Sequence, residues 1–124
     1  MSKQRSPAKE LEAFLNFVDD NKREYDYAYG MVNEEDRKLT DMVHEIEFAE
    51  NAAERNKVAT RIQNSRRARR KNKDIVTRNK ALVEFFEDQN HKKTLNALRQ
   101  LLGKQRREEE YLESERTYKK RVDR

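Results

Sequence analysis

The chain has 124 residues, 43% of them charged and 34% apolar, with two Gly, one Pro, no Cys and no Trp. Such a length fits one domain, and scarce Gly and Pro exclude the turn chemistry of a sandwich or barrel. The lack of Cys excludes disulfides, thiolate nucleophiles and Cys-based zinc sites. No apolar run approaches the roughly 20 residues of a membrane span and no signal-peptide core follows the N-terminus, so a cytoplasmic protein without membrane contact is expected.

The first predicted element opens at Ser6-Pro7, an N-cap followed by proline at the first helical position. A seven-residue apolar repeat then runs through Leu11, Val18, Tyr25, Val32, Leu39, Ile46 and Ala53, with Phe14, Leu15, Ala28, Tyr29, Met42, Val43 and Ala49 between. A stripe of this period is the signature of a long helix packed on a neighbour. One helix over about 7–50 would span roughly 65 Å at 1.5 Å per residue. Gly30 lies inside it and costs about 1 kcal/mol relative to Ala.

Asn51-Ala52-Ala53-Glu54 reads as a capping box, starting a second helix over about 52–89. Its stripe is Val58, Ile62, Ser65, Asn72, Ile75/Val76, Asn79, Leu82/Val83 and Phe86, apolar at both ends and polar in the middle. A third helix, about 92–113, carries Leu95, Leu98, Leu101 and Leu102; Gly103 is either its C-cap or an interior residue. No segment shows strand alternation. The fold expected is all-α: a long antiparallel, coiled-coil-like hairpin with a shorter third helix in a single domain (1–113), then a charged C-terminal arm (114–124).

Charge supports that pairing. Residues 1–50 hold seven Lys/Arg and thirteen Asp/Glu, whereas residues 51–107 hold seventeen and five. A tight turn near Asn51 would set Leu39 near Ile62, Val18 near Val83, and Phe14 and Leu15 near Phe86. It would also set Glu34, Glu35 and Asp36 near Arg66, Arg67 and Arg69. Leu95, Leu98 and Leu102 would cover the open end near Phe14, Phe85 and Phe86. A thin hairpin buries little surface, and Tyr25, Tyr27 and Tyr29 exceed what one partner helix covers, so a homodimer is expected.

Residues 55–80 contain eleven Lys/Arg and one acid, Asp74. At 100° per residue Arg55, Arg66, Arg70 and Lys73 fall on one flank, Arg67, Lys71 and Arg78 on the outer face, and Arg69 nearer the seam. A basic helix of this density neutralises phosphates and binds nucleic acid without sequence preference. The candidate site is therefore Arg66, Arg67, Arg70, Lys71, Lys73 and Arg78. The competing reading is a structural or adaptor coiled coil whose basic run is neutralised by its own acidic helix. A basic-leucine-zipper reading fails: where Ser or Cys and then Arg would follow Asn56, the chain has Gln63 and Asn64.

Other chemistry is thin. His44 with Glu45 and Glu47 offers too few metal ligands, and no Gly-rich phosphate loop occurs. The pairs Asp19-Asp20 and Glu34-Glu35 diverge by 100° on a helix, so they do not converge for acid–base work. No enzyme activity, cofactor, metal or small-molecule substrate is expected. His91 reads as a capping residue at a helix junction. In the tail, Arg116, Tyr118 and Arg121 are candidate partner contacts on an arm that orders on binding.

The string Ala53-Glu54-Arg55-Asn56-Lys57-Val58-Ala59-Thr60, the run Arg66-Arg67-Ala68-Arg69-Arg70-Lys71 and the ending Glu115-Arg116-Thr117-Tyr118 through Val122 together resemble small all-helical proteins encoded by phages and mobile elements of Gram-positive bacteria. The resemblance implies a mobile-element origin. It further implies either an inhibitor of a host defence nucleoprotein, such as an anti-CRISPR, or an accessory DNA-binding protein. The partner expected is thus nucleic acid or a nucleoprotein complex.

Overall fold

A computed structural model describes residues 4–115. It contains three helices: α1 (Pro7–Glu47), α2 (Ala52–Glu87) and α3 (Gln89–Glu113). No strand occurs among the described residues, and no helix there is long and apolar enough to cross a membrane. Arg116, Tyr118 and Arg121 lie outside the described residues.

Local chemistry sets each boundary. Ser6 is the N-cap of α1 and its hydroxyl accepts from Lys9 N at 3.2 Å, with Pro7 in the first turn. The helix stops at Glu47 rather than residue 50, because Phe48 N turns back to the carbonyls of His44 and Ile46. Asn51 then takes extended backbone (φ −148°, ψ 171°) and its side chain accepts from Glu54 N at 2.9 Å. The Glu54 carboxylate reaches back to Glu50 N at 2.9 Å, one residue earlier than a standard capping box.

The junction between α2 and α3 is tighter than the sequence predicts. Asp88 alone separates them (φ −58°, ψ 138°), acting as C-cap of α2 and N-cap of α3, where its carboxylate accepts from Asn90 N at 3.0 Å. His91 completes the cap: its Nδ1 donates to the Phe85 carbonyl at 2.6 Å and its ring stacks on Phe85 at 3.8 Å. One extended residue between two capped turns leaves no room for the predicted gap. Gly103 sits inside α3, which continues to Glu113 and ends at Ser114.

α2 folds back along α1, and α3 packs on the N-terminal part of α1. The α1–α2 register is fixed by three pairs: Arg61 with Glu45 (2.7 Å), Arg69 with Asp36 (2.6 Å), and the edge-on Phe14–Phe86 contact (6.1 Å). The core lies at the α3 end, where Ala8, Leu15, Val18, Leu95 and Leu102 are buried and Leu11, Phe86 and Leu98 pack against them. Phe85 departs from expectation; it lies on His91 and stays half exposed rather than joining the core.

Beyond this core the two-helix stalk has a partly polar seam. Ala28, Met42 and Val58 are buried, but so are Glu35, Ser65 and Asn79. Buried polar groups need partners. Ser65 Oγ donates to Glu35 Oε2, whose other oxygen lies 3.5 Å from Lys38 Nζ. Asn72 and Asn79 donate to the carbonyls one turn back, Ala68 at 3.0 Å and Ile75 at 2.9 Å. Tyr25 is half-buried with its ring 6.0 Å from that of Tyr29, which sits on the flank, and Tyr27 is outside.

Candidate nucleic-acid interface

Most buried and half-buried residues of α2 recur every seven positions in two series, Val58, Ser65, Asn72, Asn79, Phe86 and Ile62, Arg69, Val76, Val83, with Ala68 and Ile75 beside them and Glu87 at the end. The two series define the edge turned to α1. At 100° per residue Arg67, Lys71 and Arg78 fall on the face turned away from it, and Arg66, Arg70 and Lys73 on one flank.

Arg66, Arg67, Arg70, Lys71, Lys73 and Arg78 are all exposed. Among the described residues none of the six has an ion pair or a side-chain hydrogen bond. The acidic helix neutralises a different pair. Arg61 binds Glu45 through both terminal nitrogens (2.7 and 3.3 Å), and the partly covered Arg69 binds Asp36. Of the predicted acidic–basic alignment, then, Asp36–Arg69 forms, while Glu35 turns to Ser65 and Lys38. Glu34 pairs with Lys38 of its own helix, not with Arg66 or Arg67.

The six cations are spread around the outer half of α2. From Arg66 to Arg78 they extend about 18 Å at 1.5 Å per residue. Arg guanidinium and Lys ammonium groups held by one rigid rod suit the regularly spaced phosphates of a polynucleotide backbone. Spread around the helix, they do not converge on one small anion. Arg55 and Lys57 are also exposed and without an ion pair among the described residues. Lys57 extends the Lys71–Arg78 column; its signal in the sequence is spacing by multiples of seven.

Two further clusters position α3. Glu87 receives Lys92 (2.9 Å) and Lys22 (3.3 Å). The Lys92 contact, then Lys22, holds its carboxyl below the ordinary value, while Asp26 first and Glu87 second hold the Lys22 ammonium above its own. At the other end of α3, Glu109 accepts from Ser6 Oγ and, at 2.8 Å, from Ala8 N, and the Ser6 contact is the main cause of its lowered pKa. A carboxylate here also meets the positive end of the α1 dipole. Arg99–Asp19 (3.3 Å) and Arg106–Glu12 (3.1 Å) complete the clamp.

Among the described residues no group of three or more His, Asp or Glu is placed to hold a metal ion. His44 lies 3.7 Å from Glu47 on the surface of α1. Comparisons with family models, curated proteins and solved structures found no match for this chain.

Proposed function

We propose that this is a non-enzymatic binding protein whose α2 helix contacts the phosphate backbone of nucleic acid, alone or within a nucleoprotein machine, and thereby inhibits or regulates the handling of that nucleic acid. One observation carries the reading: six exposed cations on one helix with no carboxylate partner among the described residues. A basic run that served only the hairpin would direct its cations to α1. Among the described residues only Arg61 and Arg69 do so. The inhibitory or regulatory role is drawn from the resemblance to phage and mobile-element proteins, where a small charged helical protein commonly acts on a host nucleoprotein.

Binding of this kind is indifferent to sequence and falls steeply with salt. The test is fluorescence anisotropy on a labelled duplex of arbitrary sequence, across a salt series, with native protein and an Arg67→Glu/Arg70→Glu variant. Native protein should bind at low salt, and the variant should bind at least tenfold more weakly with unchanged helicity. Equal affinity for the two proteins, or affinity that ignores salt, would overturn phosphate contact. Nuclease-resistant capture of one defined protein would instead make that protein the target.

A further inference from the structure

The hairpin has two flanks, and α3 covers only one. It grips α1 through Glu12 and Asp19. Those residues lie about 150° around the helix from Phe17 and Glu24, at 100° per residue. The opposite flank can be traced along the stalk. An open groove there is lined by Lys38, Asp41 and Glu45 of α1 and Arg61, Asn64 and Ala68 of α2, so these six share one face.

Steps of seven extend that face over both rods. On α1, Phe17, Glu24, Met31, Lys38 and Glu45 form one column, and Ala13, Asp20, Tyr27, Glu34 and Asp41 a second beside it. On α2 the columns are Arg61, Ala68, Ile75, Leu82 and, beside it, Asn64, Lys71, Arg78, Phe85. Phe17 and Tyr27 are exposed by 48% and 70%, and Met31, Ala68 and Ile75 are half-buried; at the α3 end Phe85 is stacked on His91 and stays 53% exposed, and Leu82, 40% exposed, also borders the cavity beside Leu95 of α3. A face of this kind marks an interaction surface on a soluble protein.

Its charge identifies the occupant. The α1 columns carry Asp20, Glu24, Glu34, Asp41 and Glu45 against Lys38 alone, and the α2 columns only cations, Arg61, Lys71 and Arg78; Arg61 and Glu45 bind each other, Asp20 binds Arg23 and Glu34 binds Lys38, which leaves Glu24 and Asp41 on one rod and Lys71 and Arg78 on the other without an ion pair among the described residues. A surface acidic on one rod and basic on the other complements itself. A two-fold axis running along the rods lays α1 of each copy over α2 of the other, at equal height. The register pairs above place Phe17 level with Phe85, Glu24 level with Arg78, and Glu34 level with Lys71. Aromatic and aliphatic groups then meet at the α3 end, and opposite charges meet along the stalk.

We infer that the chain associates with a second copy of itself through this flank, forming a four-helix stalk with α3 outside. The arrangement divides the basic helix. Lys71 and Arg78 turn toward the partner copy, while Arg66, Arg67, Arg70 and Lys73 stay outward.

A charge swap tests it by sedimentation equilibrium. Native protein should show twice the 15.0 kDa chain mass. Glu24→Lys/Glu34→Lys and Lys71→Glu/Arg78→Glu should each sediment as monomers with native helicity, because all four positions are exposed. Mixed in equal amounts, the two variants should recover the dimer mass, since each supplies the charge the other now needs. A monomeric native chain at about 100 µM, roughly a hundredfold above a micromolar Kd, would overturn the proposal. So would dimeric single variants, or a mixture that stays monomeric. Binding to the duplex plays no part in the readout, so failure here leaves phosphate contact standing.

Discussion

The Ser65 hydroxyl donates to the Glu35 carboxylate across the α1–α2 seam, where both side chains are buried. This polar pair sits midway along the stalk, in a position that a simple coiled coil fills with aliphatic groups. Removing one partner leaves a buried acceptor short of a donor. Ser65→Ala should therefore destabilise by about 1–3 kcal/mol. Replacing both, as Glu35→Leu/Ser65→Ala, should recover that loss or exceed it, because matched apolar groups need no hydrogen bond. Urea denaturation of the two variants distinguishes the outcomes; equal stability of the single and double variants would contradict the account.

Asn79 lies in the same seam, and its amide donates only to its own helix, at Ile75 O. Asn79→Leu should raise stability by about 1–2 kcal/mol through added apolar burial. A buried Asn also favours one register over its neighbours. The substituted chain should melt higher while a disulfide scan across the stalk detects more than one alignment. A lower melting temperature would show that the Asn79 side chain contributes more than its local bond.

α3 is held by leucines as well as by ion pairs. Leu102 is buried among Ala8, Leu15, Val18 and Leu95. Leu102→Ala should cost about 2–4 kcal/mol through lost burial and a cavity. Hydrogen exchange should accelerate first in α3 and in the first three turns of α1, and later in the stalk. Uniform acceleration would mean that the two regions unfold as one unit.

Acid should loosen the same end. Glu87 and Glu109 both have carboxyls held below the ordinary value of 4.5, by Lys92 and then Lys22 in one case and chiefly by Ser6 in the other. A lowered carboxyl stabilises the fold above its unfolded value, and that contribution disappears as pH falls through the folded one. The melting temperature should therefore drop below pH 4.5, and Glu87→Gln should flatten the decline. Lys22 works in the opposite direction. Its ammonium is raised above 10.5, so its contribution holds up to that pH and is lost as pH climbs further.

On nucleic acid, each cation that contacts phosphate should steepen the salt dependence by about 0.9 in log–log slope. Arg67→Gln and Arg70→Gln should each reduce the slope by that amount, whereas Arg61→Gln should leave it unchanged, because Arg61 is engaged by Glu45. Equal reductions at all three positions would place the contact elsewhere.

Much of the molecule follows from local rules. Ser6-Pro7, Asn51 with Glu54, and the seven-residue stripes contain their own helix starts and inward faces, because capping and amphipathic periodicity act within a few residues. The antiparallel register followed from matching apolar ends and opposite charges at a distance, and Asp36–Arg69 and Phe14–Phe86 carry it out. The basic character of α2 was likewise plain in its composition. What the linear order left open was which cations stay unpaired. Helical phase sets Arg69 nearer the seam than Arg66, but it also placed Arg66 and Arg67 within reach of the acidic cluster; only packing on α1 gives Arg69 a carboxylate and leaves Arg66 without one among the described residues. The flank left uncovered was equally beyond the sequence, because it depends on the side of the hairpin to which the single-residue turn at Asp88 directs α3, and that is decided by Leu95 and Leu102 meeting residues some eighty positions away.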